Sequence, residues 1–122
     1  MTDPASTNKK FHKELNAGTV ALVLLGVLDQ AREPLYGYQI AKRIETGTQE
    51  VTMMKQGSLY PVLRSLERNG LVTSRVEPSV SGPPRRYYRI TKSGRQTLKE
   101  WIDIWDQNKT FVDAVLKGNY HV

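Results

Sequence analysis

The chain has 122 residues, enough for one domain around one core, with 18 Lys and Arg against 12 Asp and Glu for a net charge of +6. It has no cysteine, which excludes disulfides and thiolate metal sites and fits a reducing cytoplasm. Residues 55–99 hold ten basic side chains against two acids, Glu67 and Glu77, whereas residues 1–54 balance at zero and residues 100–122 sum to −2. Positive charge gathered on one segment is the footprint of a polyanionic partner, and a merely solvated basic face is the plainer alternative.

Residues 1–10 are polar and read as a flexible N-terminal arm. The first helix is expected from Phe11 or Leu15 to Gln30. Its most apolar run, Val20 to Leu28, is shorter than the roughly 20 residues a bilayer crossing requires, so no membrane is expected. No small-residue cleavage site follows it, and it reads as a buried helix. A helix apolar nearly all round needs neighbours on two sides, and one of them is expected to be a second subunit. Arg32-Glu33-Pro34 breaks the chain. A second helix is expected from Leu35 to Thr46, with Tyr36, Ile40, Ala41 and Ile44 in one stripe and Gly47 as its cap. Gln49 to Met54 is expected to be extended.

The third helix is expected from Gly57 to Asn69. Leu59, Leu63 and Leu66 fall on one face, opposite Gly57, Pro61, Arg64, Ser65 and Arg68, and Asn69-Gly70 is the stop. Pro61 lies near the start, where few donors are needed within the helix. A strand follows over Leu71 to Glu77. Pro78 to Pro84 is expected to leave the sheet and form a hairpin tip, and Arg85 to Ile90 is the return strand. Thr91 is the expected N-cap of a long helix ending near Leu116. Leu98, Trp101, Trp105, Asn108, Val112 and Val115 repeat in steps of three and four, a short heptad seam widened by Ile102 and Leu116.

This order predicts a mainly α fold with a small β-hairpin wing. A winged helix-turn-helix occupies residues 11–91, and a C-terminal dimerisation helix occupies 92–122. The major groove of B-DNA admits a helix whose first residues reach base edges. Lys55, Gln56, Gly57, Ser58, Tyr60, Arg64 and Arg68 are the candidates there. Arg85 and Arg86 on the wing suit a narrow minor groove. Tyr60 borders the apolar stripe and is equally a core residue. Arg86 alternates with Tyr88 and has a place over the domain as its alternative. Tyr36 either donates to a phosphate or stacks inside.

Three segments, Leu35-Tyr-Gly-Tyr-Gln-Ile40, Gly57 to Leu71, and Arg85-Arg-Tyr-Tyr-Arg-Ile-Thr91, together resemble the PadR family of bacterial transcriptional regulators. The resemblance runs from about Gly18 to Leu116, and the length resembles members with a single C-terminal helix. It implies a homodimer in which that helix packs with the partner's first helix, placing Leu22, Leu25, Leu98, Trp101, Trp105, Val112 and Val115 at the interface. It also implies repression at inverted repeats in promoter DNA, with Tyr36 on the second helix, the Gln56 to Arg64 stretch, and Arg85-Arg86 touching double-stranded DNA. In multidrug-sensing members a tryptophan of the C-terminal helix stacks on planar ligands. Trp101 and Trp105 are thus candidates for a small aromatic effector, with interface packing as the alternative. The two prolines after Gly82 depart from the family's usual wing.

An enzyme is not expected. His12 and His121 lie near opposite ends of the chain, Ser58 has no evident base, and no phosphate-cradling loop or metal-spaced ligand set is visible, so no cofactor is expected. The competing functions are a constitutive repressor without ligand and a winged helix that binds an acidic protein.

Overall fold

The computed structural model describes residues 3–47 and 56–119. The elements run α1 (Pro4–Gln30), β1 (Leu35–Tyr36), α2 (Gly37–Gly47), α3 (Gln56–Arg68), β2 (Val72–Ser79), β3 (Gly82–Ile90) and α4 (Lys92–Leu116). The fold is the mainly helical one expected, with a three-stranded antiparallel sheet of order β1-β3-β2. The extended segment expected over Gln49 to Met54 lies outside the described residues.

α1 begins well before the expected start. The arm anticipated over residues 1–10 is helical from Pro4 onward. The Asp3 side chain accepts from the Ala5 N–H at 3.3 Å, and Pro4 holds the first helical position, where its missing donor costs nothing. The longer helix is, by length and composition alone, apolar enough to span a membrane. Its apolar end instead supplies Leu24, Leu25 and Leu28 to the core.

The core lies where that end meets α2, α3 and the base of the sheet. Ile40 and Ile44 come from α2, Leu59, Leu63 and Leu66 from α3, Tyr88 and Ile90 from β3, and Leu98 from α4. Each apolar side chain buried this fully contributes on the order of 1.5–3 kcal/mol. The stripes read on α2 and α3 are therefore the buried ones, with Tyr36 as the exception.

Tyr36 belongs to β1. It pairs with Tyr87, and Leu35 pairs with Tyr88. Two residues are too few to show a period of two, and the pairing exists only because β3 offers a free edge there. The Tyr36 N–H donates to the Gln39 side-chain oxygen at 3.1 Å, the returning half of a capping box that opens α2.

α3 stops at Gly70 (φ 74°), a left-handed conformation that favours glycine. The Gly70 N–H donates to the Glu67 carbonyl and the Leu71 N–H to the Leu66 carbonyl, the two bonds of a Schellman motif. Leu66 and Leu71 are both in the core, which supplies the motif's apolar contact. Pro61 is the sixth residue of α3, beyond its first turn, so it removes one interior helical bond.

The hairpin is longer than expected. β2 continues through Pro78 to Ser79, β3 starts at Gly82, and only Val80 and Ser81 form the turn. Ser79 pairs with Gly82 and Glu77 with Arg85, a register shift that sets Pro78 against Pro83 and Pro84. Prolines are tolerated there because the irregularity leaves ladder donors unused.

Thr91 caps α4 as expected, accepting from the Gly94 N–H at 2.9 Å. The same residue fastens α4 to the end of α3. Its N–H donates to the Leu71 carbonyl at 3.0 Å and its hydroxyl to the Gly70 carbonyl at 2.7 Å. Gly94 lies so close to the Leu71 carbonyl that any side chain there would collide with it. An ion pair between Arg95 and Asp29, 3.4 Å apart, ties the same turn to the end of α1.

Candidate nucleic-acid interface

The outward face of α3 carries the charge expected of it. Leu59, Leu63 and Leu66, spaced by four and three, share the inward face, so positions one or two residues off that stripe turn out, and Ser58, Pro61, Arg64 and Arg68 are exposed. Gln56 and Gly57 open the helix, while Lys55 lies outside the described residues. Tyr60 resolves toward packing: it is half-buried against the core with its ring over Gly37, between α3 and the start of α2.

The hairpin divides the two wing arginines between its faces. Arg85 shares the outer face with Tyr87 and Arg89. Its guanidinium lies 4.5 Å from the centre of the Tyr36 ring. Tyr36 meets Tyr87 edge-on at 5.4 Å and stacks with Tyr38 at 6.3 Å, and the Lys42 ammonium lies 5.7 Å from the Tyr38 ring. The result is a ledge of three tyrosines flanked by two cations, joining the wing to the start of α2. Tyr36 thus supports Arg85 through its ring face, in addition to any contact its hydroxyl makes.

Arg86 lies on the inner face, with Tyr88 and Ile90. Its Nη1 donates to the Ser74 hydroxyl at 3.0 Å, and that hydroxyl donates to the Glu67 carboxylate at 2.7 Å. Of the two places open to it in the sequence, the structure gives Arg86 the one over its own domain. Beneath it Tyr88 is buried; its phenol is pushed above the ordinary tyrosine value by burial, opposed by Arg86 and reinforced by Glu67. The second acid of the basic segment, Glu77, is paired with Arg75. Both acids are thus engaged within the module, and the exposed cations Arg64 and Arg68 carry no ion pair among the described residues. A shallow hollow of about 260 Å³ beside β2 and β3 is lined by Pro34, Thr73, Ser74, Arg75, Tyr87 and Arg89.

The residues expected at a dimer seam fall into two groups. Leu25 is 0% exposed and Leu98 only 6%, so each spends its surface inside its own chain and has little left for a partner. Leu22 and Trp101 are half-buried against the same core. Trp105, Val112 and Val115 are 38–45% exposed, on the half of α4 beyond the core. The exposed apolar surface is wider than the heptad seam. Ile104 and Phe111 on α4, and Phe11 and Leu15 on α1, also face outward. Ile104 and Phe111 are seven residues apart, and that spacing was the available signal. Glu67 and Ser74 were passed over as well, because neither residue type announces a role without its partners. No metal-holding group of His, Asp and Glu occurs among the described residues.

Comparison with known proteins agrees with this geometry. The model of the transcriptional regulator PadR-like family matches residues 24–100, well over half of the chain. A PadR-family transcriptional regulator of Eggerthella lenta superposes with a TM-score of 0.75 at 33% identity, covering 92% of this chain and 94% of that one. A curated protein of Lysinibacillus sphaericus without assigned function is 30% identical over 80% of this chain and 87% of its own. The negative transcriptional regulator PadR of Bacillus subtilis is 28% identical over 65% of this chain, which spans only 42% of that longer protein. With its fold, its basic module and these relatives in agreement, the chain belongs to the PadR-like family of transcriptional regulators.

Proposed function

We propose that the protein is a cytoplasmic repressor that binds promoter DNA as a homodimer, associated with the bacterial nucleoid when bound. The observation that carries this reading is the face of α3: Arg64 and Arg68 stand exposed and, among the described residues, without ion pairs, while both acids of the surrounding segment are engaged elsewhere. A helix that presents unneutralised cations beside a wing arginine suits a major groove flanked by a minor groove. Repression, in place of activation, is supported by the negative regulator from Bacillus subtilis.

The dimer reading rests on the apolar surface of α4. Ile104, Trp105, Val112 and Val115 lie on one side of α4 beyond the core, within an arc of about 100° at 3.6 residues per turn, an arrangement that a second copy of the helix would cover. Two-fold symmetry then calls for a pseudo-palindromic site with half-sites about one helical turn apart. A mobility shift with the DNA upstream of the protein's own gene tests the assignment. A discrete complex that survives competitor and weakens steeply with salt is expected. Smeared, competitor-sensitive binding at every salt concentration rejects this DNA as the operator and favours a protein-binding winged helix.

A small aromatic effector is the finer part of the proposal. Trp105 offers the more accessible indole, and Asp103 and Asp106 on the same helix favour a planar cation. Such a ligand acts only so far as it binds the two arrangements of the DNA-binding heads differently. Trp105→Ala is expected to abolish quenching by planar aromatic cations while the dimer persists. Unchanged ligand affinity in that variant removes the site, and no quenching in the parent protein leaves a constitutive repressor.

A further inference from the structure

The inner face of the wing carries a feature that the DNA-contact reading does not use. The wing is buried only at its base, through Val72, Tyr88 and Ile90. From Val76 outward it is a two-stranded ribbon with little cover, and such a ribbon has little stability of its own. Ser74 and Arg86 sit at that boundary, one register step apart across the ladder, since Ser74 pairs with Tyr88 and Val76 with Arg86. Glu67 reaches them from the last turn of α3. The connection needs a hydroxyl in the middle: Ser74 accepts from Arg86 with a lone pair and donates its single proton to Glu67. Both ends are charged, which makes these bonds stronger than neutral ones.

We propose that Glu67, Ser74 and Arg86 are positioning residues that set the gap between α3 and the wing, and so the spacing at which the protein engages a major groove and its neighbouring minor groove. The inference rests on the DNA-binding reading for its consequence but not for its geometry. It reassigns Arg86 from a DNA contact to a brace, and gives a purpose to an acid placed among ten basic residues. Arg85, on the opposite face and stacked on Tyr36, is left as the wing arginine available to DNA.

The test uses the full chain with Ser74→Ala, Glu67→Ala and Arg86→Ala. Two quantities are read: amide hydrogen exchange of β2 and β3 without DNA, and affinity for a duplex selected from a random pool by the parent protein, against a mixed-sequence duplex. Ser74→Ala changes no charge, so electrostatics alone predicts no effect. A brace predicts faster exchange in the wing and a loss of about tenfold in affinity for the selected duplex, with mixed-sequence binding unchanged. Glu67→Ala removes a negative charge from between α3 and the wing, close to the proposed DNA-binding surface. Charge alone would tighten binding, whereas the brace predicts weaker selected binding. Thermal unfolding of each variant separates these effects from loss of the fold, with Glu67→Gln, which keeps an acceptor for Ser74, as the milder variant. The proposal is overturned if wing exchange is unaltered in Ser74→Ala, or if Glu67→Ala binds the selected duplex more tightly. It is equally overturned if Arg86→Ala lowers the slope of log affinity against log salt by about one, the signature of a lost phosphate contact. Should the parent protein select no duplex at all, the DNA reading fails, and the exchange experiment still decides the brace.

Discussion

The face of α3 with its wing, and the outer half of α4, are both exposed surfaces of the single chain, but they differ in kind. On α3 the exposed side chains are cations, and the acids nearby are occupied. On α4 they are apolar, from Ile102 to Leu116, within a segment that is net negative. Charge without a partner is stable in water and needs only a polyanion to become useful. Apolar surface without a partner is unfavourable in water by itself and calls for cover, which in the proposed dimer a second copy provides. The two surfaces therefore answer to different forces, and each can be broken without touching the other.

The largest effect is expected on α4. Val112→Asp places a carboxylate in the apolar surface of each subunit and should weaken the dimer by about 3 kcal/mol or more, over a hundredfold. Sedimentation equilibrium reads this directly, and a dimer of normal affinity would show that the helices meet elsewhere. Next is Arg64→Ala, expected to cost about 1–3 kcal/mol of operator affinity with the dimer intact. Raising salt sharpens the same contrast: operator binding should fall steeply while dimer affinity holds. Parallel salt responses of the two equilibria would mean that ion pairs hold the dimer. The smallest effect is expected for Tyr36→Leu, which removes the ring beneath Arg85 and should cost about 0.5–1 kcal/mol of operator affinity. Combined with Arg85→Ala, it should add almost nothing. Full additivity would make Tyr36 an independent phosphate contact through its hydroxyl.

Much of this fold was legible because its signals are local. The stop at Asn69-Gly70, the cap at Thr91 and the inward leucines of α3 depend on residues a few positions apart, and each stands where the pattern put it. The start of α1 was equally local, an Asp-Pro pair at its head, but the polar composition of residues 4–10 masked it. The turn was misjudged for another reason. Three prolines argue against a ladder, and only the register shift between Glu77 and Ser79 shows how they are accommodated.

The sequence by itself determined the order of the four helices and the hairpin, the basic module and the existence of an apolar surface on α4, because helical periodicity and charge density are properties of neighbouring residues. The tertiary structure alone decided which of those residues remain available. Leu25 and Leu98, apolar at the right spacing for a seam, are consumed by the core, while Trp105 and Val112 are not. Adjacent in sequence, Arg85 and Arg86 part company because successive side chains of a strand face opposite ways. One therefore meets Tyr36 from β1 and the other Ser74 from β2, with Glu67 of α3 behind it. Such partners are set by strand pairing and helix packing across the domain, and no local pattern specifies them.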